Sequence, residues 1–387
     1  MVGLLSRTLV LTSVGTVALL LPANLRACEF CGLSGQTLTS QVAQAGTVLY
    51  GTLSDADQDK GETVMNVEKV VKKHKDLGDE TKVTLARFIP IEKDPKYKVL
   101  IFCDIYKGKV DPYHLLSVKT ESDVATYLKG ALEVKDKDTA ARLAFFFPYL
   151  DDADLEISND ANKEFGNADY KDVREAAKSM PPGKIAGWLK PEANTPAYRY
   201  GLYALLLGHC GKPEHAKVLR AMLDDPKKRL SSGVDGVMVG YTLLDPKEGW
   251  AYVREILKDS TKEFALRYAG LRAARWFHNV RTDVLDKKDI VTGVAELLDQ
   301  DDIADLAIED LRRWGEWDFT ERILALETKK SHDIPIIHRN ILRYALQSPD
   351  KKAAEFVDDL RKKNPRLVAD AEELLKLDQS QPSPVKK

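Results

Sequence analysis

The feature that most constrains this chain is a two-helix unit that recurs through its C-terminal half. In its clearest copy, residues 195–225, two short stretches with apolar faces are separated by Gly208 and Gly211, and Pro213 opens the second stretch. Helices this short are unstable alone in water, so each needs a neighbour to cover its apolar face. The leucines that close the second helices are 34, 41, 28 and 34 residues apart, at Leu223, Leu257, Leu298, Leu326 and Leu360. This recurrence predicts stacked helix pairs.

The pairs resemble HEAT-type repeats in their length and in their Asp-Pro or Gly turns, such as Asp245-Pro246. The resemblance implies an α-solenoid over residues 119–378, in which the amphipathic stretch from Pro365 to Leu377 caps the last repeat. Solenoids of this kind mostly serve as binding surfaces, so a protein partner is expected on the repeats.

The region ahead of the clearest repeats is less regular. Residues 160–170 read as a loop because they are rich in Asn, Asp and Gly, and the acidic run from Asp151 to Glu156 reads as a solvated turn. Helices are predicted on either side of this loop, at 124–132, 139–150, 171–180 and 184–189.

The first 27 residues have the pattern of a secretory signal peptide, with Arg7 ahead of an apolar run and the small residue Ala27 at its end. The run is too short for a comfortable membrane span. We therefore expect an exported protein of the periplasm, cell envelope or exterior that begins at Cys28. Residues 25–28, Leu-Arg-Ala-Cys, are also similar to a bacterial lipoprotein box, which implies lipidation of Cys28 and membrane anchoring as the alternative.

Composition limits the classes of partner. The chain has 58 Lys and Arg residues against 60 Asp and Glu residues, and the two signs are interspersed. A basic surface for nucleic acid is therefore not expected, and a membrane is expected as a partner only if Cys28 is lipidated. Residues 379–387, QSQPSPVKK, predict a disordered tail.

Residues 28–118 differ from the helical part because they are rich in β-branched and aromatic runs between turn residues. Strands are predicted at 47–53, 63–71, 82–88 and 99–105, with a fifth after Gly108. Five strands in this order are compatible with a small Greek-key barrel. The fold class is therefore α+β and multidomain: a five-stranded OB-like β-barrel followed by an α-solenoid of HEAT-like helix pairs.

The barrel region resembles the netrin-like OB barrels of tissue inhibitors of metalloproteinases. The likeness rests on Cys28-Glu-Phe-Cys31, on residues 41–53 and 67–71, and on the run at 97–102. In that family the first cysteine chelates the protease zinc, so the resemblance implies Cys28 as a chelating terminus, although the family spacing is Cys-x-Cys. The order of signal, Cys-x-x-Cys, barrel and repeats also resembles uncharacterised exported proteins of planctomycete-type bacteria.

The cysteines allow more than one interpretation. In an oxidising exterior, a bridge from Cys28 or Cys31 to Cys103 would tie the N-terminal segment to a late strand, and this is the expected arrangement. A redox Cys-x-x-Cys is the alternative, although such motifs usually open a helix within a βαβ pattern. Cys210 and its neighbour His209 could share a metal with His215, but a fourth ligand is missing, so Cys210 is interpreted as a packed residue.

No catalytic, cofactor or metal residue is assigned, since the sequence has no phosphate loop, HExxH helix or nucleophile elbow. The run from Asp55 to Gly61 imitates a calcium loop but has Lys60 where that loop needs glycine. The leading hypothesis is an exported, non-catalytic binding or scaffold protein. The alternatives are a metalloprotease inhibitor acting through Cys28 and an enzyme whose site is assembled from distant residues.

Overall fold

The computed structural model of the protein describes residues 29–91 and 96–380. Within these ranges one short helix, α1 (Leu38–Gln44), precedes five strands: β1 (Thr47–Asp57), β2 (Glu62–Lys72), β3 (Lys82–Leu85), β4 (Tyr97–Tyr106) and β5 (Lys109–Lys119). The predicted signal peptide and the roles predicted for Cys28 lie outside the described residues. So do the last seven residues of the predicted tail, whose first two residues belong to the final helix.

A series of helices follows the strands. The first group is α2 (Val124–Glu133), α3 (Thr139–Phe146), α4 (Leu155–Asn167), α5 (Tyr170–Ala177) and α6 (Pro182–Trp188). The second group is α7 (Tyr200–Cys210), α8 (Ala216–Asp224), α9 (Val234–Leu244), α10 (Pro246–Lys258), α11 (Phe264–Val280), α12 (Lys287–Ala295), α13 (Ala304–Trp314), α14 (Thr320–Ala325), α15 (Pro335–Gln347), α16 (Lys351–Lys363) and α17 (Pro365–Ser380). None of the described helices combines the length and apolar character that crossing a lipid bilayer requires.

The strands form a sheet that closes on itself in the order β1-β2-β3-β5-β4. β1 pairs antiparallel with both β2 and β4, and β3 meets β5 through the parallel pair Leu85 and Val110. β4 turns into β5 through Lys107 and Gly108, which both have positive φ, as the two-residue turn of a tight hairpin requires. All five predicted strands are present, with bounds shifted by a few residues.

Alternation along the strands divides the apolar residues between two cores. Leu49 and Ile101 pack inside the barrel, whereas the adjacent residues Tyr50 and Leu100 pack in the main cluster, which also holds Leu128 of α2. One side of the barrel is therefore continuous with the hydrophobic core of the helices.

Some successive helices of the second group contact each other as the predicted pairs would: α9 contacts α10, α11 contacts α12 and α15 contacts α16. Helices two apart in the chain also meet. α7 contacts α9, α9 contacts α11, α13 contacts α15 and α15 contacts α17. The predicted turn at Asp245 is an N-cap, since its side chain accepts a hydrogen bond from Glu248 N at 3.1 Å. α7 begins five residues after the start of the predicted unit, and Thr195 donates to the carbonyl of Trp188 at 2.7 Å.

The predicted loop over residues 160–170 is wrong, because most of it belongs to α4. This helix buries polar residues that find partners: Asn162 donates to the carbonyl of Leu150 at 3.1 Å, and Asp160 accepts from α1. A sequence poor in apolar residues can form a buried helix when each polar group is paired in this way.

Candidate binding groove

The N-terminal end of the described chain lies across four helices. We call residues 29–35 the strap; it contains no helix or strand. At one end, Arg272 of α11 donates from Nη2 to the carbonyl of Glu29 at 3.1 Å. At the other end, Asn167 of α4 exchanges two hydrogen bonds with the backbone of Gly35, at 2.9 and 2.7 Å. Both ends of the strap are therefore fixed to helices by polar contacts.

Glycines form the floor beneath the strap. Gly166 of α4, Gly201 of α7 and Gly236 of α9 are spaced 35 residues apart. A Cβ atom on Gly166 would lie 1.9 Å from the carbonyl oxygen of Leu33, and one on Gly201 would lie 2.3 Å from that of Phe30. A Cβ atom on Gly236 would lie 2.9 Å from the Cβ of Phe30. A side chain at Gly166 or Gly201 would have to displace the strap, whereas one at Gly236 would first meet Gly201, whose Cα lies 2.5 Å from the added Cβ atom.

Phe30 is the buried anchor of the strap, with 4% of its surface exposed. Its ring meets Trp276 of α11 edge-on, with centroids 5.7 Å apart, and Trp276 in turn meets Tyr170 at 5.2 Å. Full burial of a phenylalanine contributes about 1.5–3 kcal/mol, and a ring pair adds about 0.5–1.5 kcal/mol. This side chain therefore supplies much of the free energy that seats the strap.

The strap runs directly into α1, which α4 also holds. Asp160 accepts hydrogen bonds from the hydroxyl groups of Thr39 at 2.7 Å and Tyr127 at 2.9 Å. Burial raises the pKa of Asp160 even though these donors oppose the shift. One turn further along α4, Glu164 pairs with Arg142 at 3.0 Å. α4 therefore positions both the strap and the helix that leads into the barrel.

A cavity of ≈ 170 Å³ lies beside the Glu29 end of the strap, at the start of α9. Its lining includes Arg229, Asp235, Tyr268 and Arg272. Arg272 Nη1 lies 3.0 Å from Asp235 Oδ2, so one guanidinium contacts both the strap and the cavity carboxylate. Burial raises the pKa of Asp235, and Arg272 opposes that shift.

A polar chain lies beyond the aromatic anchor. The Tyr170 hydroxyl and His209 Nε2 are 3.1 Å apart, and Arg281 donates to the same hydroxyl at 3.2 Å. Arg281 also pairs with Asp283 at 2.6 Å. Burial, reinforced by Arg281 and Arg174, lowers the pKa of His209 to about 3, so this imidazole is neutral at neutral pH. The chain orients Tyr170 against Trp276.

The structure does not form the predicted bridge from Cys31 or Cys28 to Cys103. Cys103 is a free, fully buried thiol of the barrel core, where burial raises its pKa to about 12. Cys31 is disulfide-bonded and packs against the helical cluster, beside Gly166. The two residues occupy different cores because Cys103 points into the barrel.

The other predicted ligand candidates do not form a metal site. Cys210 is a free thiol whose pKa burial raises to about 11, and His215 accepts a hydrogen bond from the backbone N of Lys212 at 3.0 Å. Among the residues that the structure describes, no group of three or more His, Cys, Asp or Glu side chains is placed to hold a metal ion.

Ion pairs between the first helices of successive repeats were missed at the sequence level. They join α9 to α11, α11 to α13, α13 to α15 and α15 to α17. The pairs are Asp235–Arg272 at 3.0 Å, Arg275–Asp310 at 2.7 Å, Glu309–Arg343 at 3.3 Å, and Arg343–Asp378. The partners are 34 to 37 residues apart, close to the repeat length, and this spacing was the available signal.

Comparison with protein-family models, curated proteins and solved structures finds no match for this chain. The floor glycines could also have been found from their spacing of 35 residues. The strap could not, because no periodicity links residues 29–35 to helices that follow more than a hundred residues later.

Proposed function

We propose that this protein is an exported, non-catalytic binding protein whose helical repeats hold a peptide segment of a protein partner. One observation carries the proposal: the groove already holds a peptide, the strap, over glycines and around an aromatic anchor. A partner segment would take the place of the strap, with its own aromatic side chain in the site of Phe30.

The groove suits recognition of a peptide main chain. Arg272 and Asn167 bind backbone atoms of the strap, which any sequence offers, whereas the pocket beside Trp276 selects one aromatic side chain. Backbone contacts of this kind give affinity, and side-chain pockets give specificity. The partner class is thus a non-helical segment with one buried aromatic residue.

The remaining architecture fits the same role. Contacts from α7 to α9 to α11, and from α13 to α15 to α17, support a HEAT-like solenoid as the scaffold of the groove. The closed strand order supports an OB-like barrel as a second module. The signal-like pattern of residues 1–27 supports export to the periplasm, envelope or exterior, and lipidation of Cys28 would hold the protein at a membrane.

The seating of Phe30 favours this role over a metalloprotease inhibitor. An inhibitor that chelates zinc through Cys28 needs the adjoining residues to project toward the protease. Phe30, two residues further on, is instead buried against Trp276.

The test uses the full chain with Phe30→Ala and a synthetic, N-acetylated peptide of residues 29–36 that carries serine in place of Cys31. In the wild type the strap competes at a millimolar effective concentration, so added peptide at micromolar concentration cannot enter. Loss of the Phe30 ring frees the pocket. We expect the peptide to bind the variant at least ten times more tightly than the wild type, and to raise the Tm of the variant only.

Two controls define the result. Phe264→Ala removes a phenylalanine that is 45% exposed and should behave as the wild type. A peptide with alanine in place of Phe30 should bind neither protein. Equal binding of both peptides, or no gain of binding and no rescue of Tm in Phe30→Ala, would show that the groove is not a peptide site.

A further inference from the structure

The cavity beside the Glu29 end of the strap carries a net positive charge. Its lining contains two arginines, Arg229 and Arg272, and one aspartate, Asp235. Arg272 Nη1 lies 3.0 Å from Asp235 Oδ2, so these two charges neutralise each other. Arg229 has no ion-pair partner in the parts of the chain that the structure describes. The remaining positive charge of the cavity therefore belongs to Arg229.

The guanidinium of Arg229 also lacks a hydrogen-bond acceptor among the described residues. The side chain as a whole is only partly buried, but its Nε atom is shielded from solvent and donates to nothing. A guanidinium presents its donors as a planar fork that matches the two oxygens of a carboxylate. The cavity is therefore suited to a ligand group with one negative charge and two acceptor atoms.

The cavity is continuous with the groove that holds the strap. Arg272 lines the cavity and donates from Nη2 to the carbonyl of Glu29 at 3.1 Å. A peptide in the place of the strap would thus bring the residue ahead of its Glu29 position to this cavity, because each extended residue advances the chain by about 3.3 Å. The direction of the strap decides that this residue precedes the aromatic anchor.

We propose that the cavity is a second subsite of the peptide groove, which takes the acidic side chain of a partner residue two positions before the aromatic anchor. This inference rests on the proposed function. Leu230 and Tyr268 add apolar surface to the lining, against which the methylene groups of a glutamate can pack. A phosphate group would bring a second negative charge that Arg229 alone does not balance.

The test uses the Phe30→Ala variant of the full chain and four peptides that are acetylated and amidated at their ends. All contain residues 29–36 with serine in place of Cys31. One has no extension, one begins with an added glutamate, one begins with an added glutamine, and one carries the added glutamate after residue 36. Calorimetric titration should show the first glutamate peptide binding at least ten times more tightly than the glutamine peptide. Glutamate at the other end should bring no gain.

Two further variants, both in the Phe30→Ala background, assign the effect. Arg229→Met removes the guanidinium and should abolish the preference for glutamate. Arg339→Met removes an exposed arginine of α15 and should leave the preference intact.

The unextended peptide separates two kinds of failure. If it binds and the added glutamate brings no advantage, or if the advantage survives Arg229→Met, the acidic subsite is overturned and the groove stands. If no peptide binds, the groove itself is overturned, and the subsite with it.

Discussion

The two halves of the helical array are joined in different ways. Between α7 and α9, Gly201 and Gly236 bring the helix backbones close together, and the strap lies over these glycines and over Gly166 of α4. From α11 to α17, the first helices of successive repeats meet through arginine and carboxylate side chains. A repeat of about 35 residues therefore carries two types of joint, one of backbone and aromatic contacts and one of charge.

The two types of joint predict that different changes will destabilise the two halves. A glycine floor leaves no room for a side chain, so the strap half should be sensitive to volume. The charged half includes a carboxylate, Asp310, that is 6% exposed and depends on Arg275, so it should be sensitive to pH.

The largest effect is expected from Gly201→Val. Its Cβ would lie 2.3 Å from the carbonyl oxygen of Phe30, so the strap must move or α7 must shift. Overpacking of this kind costs about 3 kcal/mol in the free energy of unfolding, measured by urea denaturation. Limited proteolysis should also cut the variant within residues 29–35.

Gly187→Val is the matched control. Gly187 lies in α6, and a Cβ atom there meets nothing within 4 Å. This variant should change stability only by the small difference in helix propensity. A loss of stability in Gly187→Val as large as that in Gly201→Val would show that the strap contact does not decide the cost.

The sequence predicted the helix pairs and the strands because both depend on local periodicity. The predicted turn at Asp245-Pro246 lies between α9 and α10. α4 was missed because its buried face is polar: Asp160 and Asn162 are stabilised by partners distant in sequence, which no hydrophobic pattern reveals.

The groove was less accessible to sequence reasoning than the fold. Cys31 has a recognisable sequence signal in its Cys-x-x-Cys spacing, whereas its neighbour Phe30, which contacts Trp276, has none. Which core a cysteine joins depends on the direction of its side chain from a strand, and Cys103 points into the barrel as a free thiol. The spacing of 35 residues between the glycines is visible in the sequence, but only the structure shows that the strap lies on these glycines.

The next largest effect on the free energy of unfolding is expected from protonation of His209, which lies against Tyr170 beside Trp276. Because its pKa falls from 6.5 to about 3 on folding, protonation favours the unfolded chain. Its contribution to stability is complete above pH 6.5 and is lost as the pH falls toward 3. By pH 5 the loss is about 2 kcal/mol. The difference between the urea stability of the wild type and of His209→Gln should therefore shrink between pH 7 and pH 5, and a constant difference would contradict a buried neutral imidazole.

The smallest effect, and the sharpest contrast, concerns Asp310 in the charged half. Burial raises its pKa to about 6, against the opposing charges of Arg275 and Arg313, while Glu309 adds to the rise. Folding therefore retains a proton that the unfolded chain releases near pH 3.8, so stability is lost as the pH rises from about 4 to about 6. We expect a loss on the order of 1–2 kcal/mol that is absent in Asp310→Asn. Arg275→Met should extend the loss above pH 6, because the carboxylate then has no neighbouring arginine at 2.7 Å.

The two halves would thus respond to pH with opposite signs. The contribution of His209 to stability falls toward acid pH, and that of Asp310 falls toward neutral pH. Urea denaturation of both variants across pH 4 to 7 measures the two slopes, and slopes of equal sign would remove the distinction between the joints.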